Sequence, residues 1–170
     1  MLKTLEEPPE YATIILTTAN EAKLLNTIKS RCMKVSFKGI SEKELQKKVE
    51  EILNVVPEKE LISKSQGSLG RAIQMHEQKE LYFQVDQVLR NLEKEDIIEN
   101  LNNSEILYKS KENIREILDY IEVYLYNTKE IQKLNCIQYV EETKKRIIAN
   151  SNYDMCIDYL LLNMWREINA

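Results

Sequence analysis

Asn150-Ser151-Asn152-Tyr153-Asp154-Met155-Cys156-Ile157-Asp158-Tyr159-Leu160-Leu161-Leu162-Asn163-Met164-Trp165 decides the fold class. Asn150, Ser151 and Asn152 make a turn and a cap, after which Tyr153, Ile157, Leu160, Leu161 and Met164 share one helical face with Trp165 beside it. Working outward, the same spacing recurs. Cys136, Ile137, Val140, Ile147 and Ile148 mark one helix, and Ile114, Ile117, Leu118, Ile121 and Leu125 another. Tyr82, Val85, Val88, Leu89 and Leu92 mark a third, which continues across Ile97, Ile98 and Leu101 to a break at Asn102-Asn103-Ser104. From about residue 80 onward there is neither glycine nor proline. The expected fold is therefore mainly α, with a helical bundle over 79–170 whose apolar positions are core rather than a ligand box.

Residues 39–78 read as a smaller helical unit. Ser41-Glu42-Lys43-Glu44 is a capping box, and Leu45, Val49, Ile52 and Val56 follow at helical spacing until Pro57 ends the element. A short helix through Leu61 and Ile62 finishes at Gly67. Ser68 caps the next one, with Arg71 in its first turn. The single histidine, His76, has no ligand set around it and reads as a surface or boundary residue.

Residues 1–38 look like the end of an α/β domain. Leu2, Leu5, Glu6 and Glu7 suit the close of a helix that Pro8-Pro9 stop. Ala12 to Thr18 is a β-branched and apolar run that predicts a strand covered on both faces. Asn20 is an N-cap for Glu21 to Lys29, and Met33, Val35 and Phe37 alternate with Lys34 and Ser36 as in a second strand. Between the strands lies Asn26-Thr27-Ile28-Lys29-Ser30-Arg31-Cys32, so Arg31 is expected at the end of a helix, at the rim of a sheet. Its forked, permanently charged guanidinium suits phosphate oxygens, although an ordinary surface arginine has the same local sequence. Thr17 and Thr18 are either polar groups at a strand end or simply β-branched strand residues.

Composition limits the function classes. The chain has 170 residues, 31% of them charged, a net charge of −4 and three cysteines. No window approaches the ~18 apolar residues of a membrane helix, so a cytoplasmic protein is expected. Cys32, Cys136 and Cys156 lack metal-ligand spacing, and no metal site is expected. The net charge argues against a surface that grips nucleic acid throughout. The one basic run, Lys144-Lys145-Arg146, follows Glu141 and Glu142 by one turn and reads as a solvated helix face. The phosphate-binding loop GxxxxGK[ST] is absent from the sequence, so no cofactor is expected on this chain alone.

The ordered series Leu2-Lys3-Thr4-Leu5-Glu6-Glu7-Pro8-Pro9, the run Ala12 to Asn20, a helix and Ser30-Arg31-Cys32 resembles the clamp-loader branch of the AAA+ ATPases. Within it the chain is most similar to the delta-prime type of bacterial DNA polymerase III clamp-loader subunit, with the tau/gamma type next. Gly67 to Ile73 resembles the sensor-2 segment of the lid domain. Ala149 to Tyr153 leading into Tyr159 to Leu162 resembles the collar. The resemblance implies three parts: a remnant of the AAA+ core over 1–38, a lid over 39–78 and an oligomerisation collar over 79–170. It further implies that Arg31 acts in trans on ATP and Mg at a neighbouring tau/gamma-type ATPase, with Thr18, Asn20 and Arg71 at sensor-like positions. The delta subunit, the sliding clamp and primed DNA would be further partners. A fragment of a tau/gamma-type ATPase and a plain helical interaction module are the alternatives.

Overall fold

The computed structural model describes residues 2–7, 9–18, 21–94 and 96–170. The chain forms two compact units, one ending at Lys38 and one spanning Gly39–Ala170. The fold is mainly α.

The first unit holds two short helices, α1 (Leu2–Glu6) and α2 (Asn26–Lys29), with a single 3₁₀ turn at Glu21–Lys23. The expected strands are absent among the described residues: 12–18 and 33–37 are irregular chain. A strand exists through its ladder, and even a lone two-stranded pair is marginal in water. Neither run finds a ladder partner here, and their side chains lie open, with Ile15 81% and Phe37 92% exposed. The helix expected from Glu21 to Lys29 is likewise divided. The N-cap of α2 is Leu25, which has no side-chain acceptor to offer. Asn20, the expected cap, lies outside the described residues.

The second unit begins with α3 (Glu42–Leu53), α4 (Lys59–Lys64) and α5 (Leu69–Glu77). Ser41 Oγ accepts the Glu44 N–H at 3.4 Å and donates to Glu44 Oε2 at 2.8 Å. The glutamate thus answers the serine hydroxyl. Asn54, left-handed at φ 53°, closes α3 ahead of Pro57, so Val56 falls beyond the helix and is exposed, and Ile52 is half exposed on it. Leu45, Val49, Ile62 and Ala72 form a small core ringed by Ile40, Leu53, Leu61 and Leu69. Gly67, at φ 76°, permits the chain to fold back there: a Cβ would stand 2.7 Å from the Ile40 carbonyl oxygen, where the Ile40 N–H reaches Gly67 O at 2.9 Å.

The larger core is built from α6 (Lys79–Asn91), α7 (Ile97–Asn103), α8 (Glu105–Lys109), α9 (Ile114–Thr128), α10 (Ile131–Asn135), α11 (Ile137–Ile148) and α12 (Tyr153–Ile168). Leu92, Ile117, Leu118, Ile121, Val140, Ile157, Leu160 and Met164 are all but removed from solvent, Cys136 packs in the same core, and Cys156 is buried as well. Residues expected to extend α6 form α7 instead, because the Asp96 carboxylate accepts the N–H groups of Ile98 and Glu99 and starts a new helix. Asn152 does the same for α12, accepting the Met155 N–H at 3.0 Å.

A polar junction joins α4, α6 and α9. Lys64 Nζ on α4 lies 2.9 Å from Asp86 Oδ2 on α6 and donates to the Tyr120 hydroxyl on α9 at 2.5 Å. The Tyr120 hydroxyl in turn donates to Asp86 Oδ1 at 2.6 Å. Burial, then the Asp86 carboxylate, pushes the Tyr120 phenol far above its ordinary range, so it stays a donor. Among the described residues no helix is long and apolar enough to cross a membrane.

Candidate functional site

Ser30, Arg31 and Cys32 come together at the close of α2. The Ser30 N–H reaches Asn26 O at 3.0 Å and the Arg31 N–H reaches Ile28 O at 3.1 Å, which ends the helix in a tightened turn. Ser30 Oγ donates to Thr27 O at 3.2 Å. Arg31 Nη1 donates to Thr27 O at 2.9 Å and to Ser30 Oγ at 3.2 Å, while Nη2 donates to Glu6 Oε1 at 2.7 Å. The guanidinium side chain is 33% exposed and the Glu6 side chain 48%. Cys32 is a half-buried free thiol. Thr18 is exposed on the irregular run.

Arg71 belongs to the second unit and has a different setting. Ser68 Oγ accepts the Arg71 N–H at 3.3 Å, which caps α5 and places the side chain in the first turn as its sequence predicts. The guanidinium then meets Asp119 Oδ2 on α9 at 3.5 Å and Gln66 Oε1 at 3.5 Å. Asp119 Oδ1 is 2.7 Å from Lys144 Nζ, which also lies 2.7 Å from Glu122 Oε1. Gln66, Arg71, Asp119 and Glu122 line an open groove of about 340 Å³ that includes Val123 and Tyr126.

The charges at and beside that groove balance one another, Arg71 and Lys144 against Asp119 and Glu122. Burial raises the Glu122 carboxyl, the Lys144 ammonium opposes the rise, and a hydrogen bond with Glu141 adds to it. Burial alone would lower Lys144, but its bonds to Asp119 and Glu122 outweigh this and raise it. Lys144 therefore departs from the expected solvated face: it is largely buried and ties α11 to α9. Arg146 pairs along its own helix, with Glu142 at 3.1 Å, while its guanidinium stacks on the Tyr159 ring. Asp119 and Glu122 escape sequence reasoning because they occupy the polar side of an amphipathic pattern, where exposure is the default. Among the described residues no group of three or more His, Cys, Asp or Glu is placed to hold a metal ion.

The family described as DNA polymerase III, delta subunit matches residues 1–41, the segment that carries Glu6 and Ser30-Arg31-Cys32. The chain is 39% identical over 85 residues to the DNA polymerase III subunit gamma of Buchnera aphidicola subsp. Baizongia pistaciae, covering 46% of this chain and 23% of that one. It is 43% identical over 54 residues to the tau subunit of Escherichia coli, covering 32% and 8%, and 38% identical over 69 residues to the tau subunit of Bacillus subtilis, covering 41% and 12%. The chain thus spans about a quarter or less of the length of these curated relatives. No solved structure matches it. The matched segments are therefore similar to parts of DNA polymerase III delta, gamma and tau subunits, and they do not separate a delta-prime type from a tau/gamma type.

Proposed function

We propose that the chain serves in a DNA polymerase III clamp loader as a subunit that lends Arg31 to the ATP site of an adjacent tau/gamma-type ATPase. The observation that carries this reading is the family match over residues 1–41, which spans the Ser-Arg-Cys turn, with Arg31 solvent-accessible at the end of its helix. A guanidinium at a phosphoryl-transfer site offsets charge that develops on the phosphate oxygens, and an arginine supplied in trans contributes about 10³- to 10⁵-fold in rate. ATP and Mg belong to the partner's site. In this reading the chain is a delta-prime-type stator: helices α6 to α12 form its collar, α3 to α5 its lid, and residues 1–38 a part of its AAA+ core. The assembly, with the delta subunit, opens the sliding clamp and places it on primed DNA.

The test is Arg31→Ala in a clamp-loader complex whose other ATP sites carry inactivated phosphate-binding loops. Assembly, followed by light scattering, stays intact, and turnover at the remaining site falls about 10³-fold or more. Unchanged turnover removes the in-trans role.

A second reading, a tau/gamma-type subunit, is favoured by the curated relatives, which are tau and gamma subunits. Whether the gene encodes an intact GxxxxGK[ST] loop decides between them: an intact loop belongs to a tau/gamma-type ATPase, a degraded one to a delta-prime-type stator.

A further inference from the structure

Arg31 does not reach outward from its turn. Among the described residues it has three acceptors: Thr27 O and Ser30 Oγ lie on its own helical turn, and Glu6 Oε1 comes from the last residue of α1. The side chain is therefore curled back, and three of its five N–H donors are engaged within the chain. Glu6 is the one charged acceptor of the three. A phosphate oxygen that takes its place on Nη2 must displace a carboxylate. One that joins it would stand roughly 5 Å from the carboxylate oxygen, from ordinary hydrogen-bond lengths at the shared nitrogen, and the two anions would repel.

From this geometry we infer that Glu6 holds Arg31 in reserve. It is the internal counterion that keeps the guanidinium on its own chain until a polyphosphate is presented, and so sets how readily the arginine is released. The inference rests on the in-trans reading above and adds to it the residue that regulates Arg31. Relative strengths favour release. Both partners are partly exposed, so water and salt screen the pair and leave it weak. The terminal phosphates of a nucleotide carry more charge and accept several charge-assisted hydrogen bonds, so they win the exchange. Glu6 then acts through Arg31 as a positioning residue and makes no contact with nucleotide.

The experiment compares kcat/KM for ATP in the assembled complex for the unmodified chain, Glu6→Gln, Arg31→Ala and the double variant, with assembly of each checked by light scattering. Glutamine keeps the size and shape of Glu6 and removes its charge. The expected result is a rise of about two- to fivefold in kcat/KM for E6Q, the rate equivalent of losing a partly exposed ion pair, and no rise when E6Q is added to R31A. A residue that merely supported the fold would lower activity when changed, and its effect would not depend on Arg31. If E6Q leaves kcat/KM unchanged or lowers it while R31A still abolishes stimulation, the reserve role is wrong and the in-trans arginine stands. A gain that persists in the double variant also overturns the role, since it would not pass through Arg31. If R31A itself has no effect, both readings fall.

Discussion

Replacing Asp86 with alanine tests the polar junction among α4, α6 and α9. The change removes two oxygens that accept from Lys64 Nζ at 3.2 and 2.9 Å and from the Tyr120 hydroxyl at 2.6 Å. The lysine side chain is 9% exposed, so its charge cannot regain full hydration, and its remaining carboxylate is Glu60 at 2.9 Å. Breaking a buried pair costs about 3–5 kcal/mol, and the surviving Glu60 contact argues for the lower end, about 3 kcal/mol. At about 2–4 °C per kcal/mol for a chain of this size, the midpoint of thermal unfolding followed by circular dichroism falls by roughly 6–12 °C. Lys64→Met with Asp86→Leu supplies the control, because removing both charges avoids a stranded ammonium. The double variant is expected to melt well above D86A. A D86A midpoint within about 1 °C of the unmodified chain, or a double variant no more stable than D86A, would refute the junction's role in stability.

Two further predictions concern titrating groups. Burial, then Glu167, pushes the Cys136 thiol up to about 12, and burial raises Cys156. At pH 8 about one Cys136 in 10⁴ is thiolate, so a thiol reagent should titrate Cys32 alone in the folded protein and all three cysteines in denaturant. Rapid labelling of a second thiol without denaturant would contradict the burial described. Glu122 has a raised pKa when folded, so between the ordinary carboxyl value of 4.5 and its folded value the native state binds more protons than the unfolded one. Stability contributed by this group therefore falls as pH rises through that window. Urea midpoints of the unmodified chain minus those of Glu122→Gln should decline from pH 4 to 7, and a difference that rises instead would reverse the assignment.

The helices were readable because each carries a full apolar stripe and a local start signal. Ser41, Ser68 and Asn152 cap as their sequence contexts predict, and Leu45, Val49, Ile117, Ile121, Leu160 and Met164 lie in the two cores. Failures cluster where the deciding partner is distant in sequence. Ala12 to Thr18 has strand propensity, but propensity does not supply a ladder, so the run stays irregular. The helices α8 and α10 are too short, at five residues each, to show a period, and Asp96 sits as a cap inside an apparently continuous apolar pattern. Lys64, Lys133 and Lys144 look like surface lysines in the sequence. Each is instead largely buried against carboxylates, Lys133 with Glu93 at 2.5 Å and Glu130 at 3.0 Å. Of the candidate site, the motif Ser30-Arg31-Cys32 was legible, whereas Glu6 as the partner of Arg31 was not, since 25 residues separate them.

The two arginines singled out by sequence differ in what it takes to free them. Arg71 meets Asp119, but that carboxylate is also held by Lys144, which is held by Glu122, so withdrawing Arg71 disturbs a chain of charges linking α5, α9 and α11. The loss is spread over the network and falls partly on groups removed from water, where it is poorly compensated. Among the described residues Arg31 has one charged partner, and that partner is about half exposed. On release, Glu6 is rehydrated at once and no other ion pair is disturbed, so the cost stays within the range of a surface pair. An arginine that must exchange one anion for another on each catalytic cycle needs the second arrangement. Arg71 is built as a cross-brace, whereas the in-trans role proposed for Arg31 asks for the looser hold that Glu6 gives it.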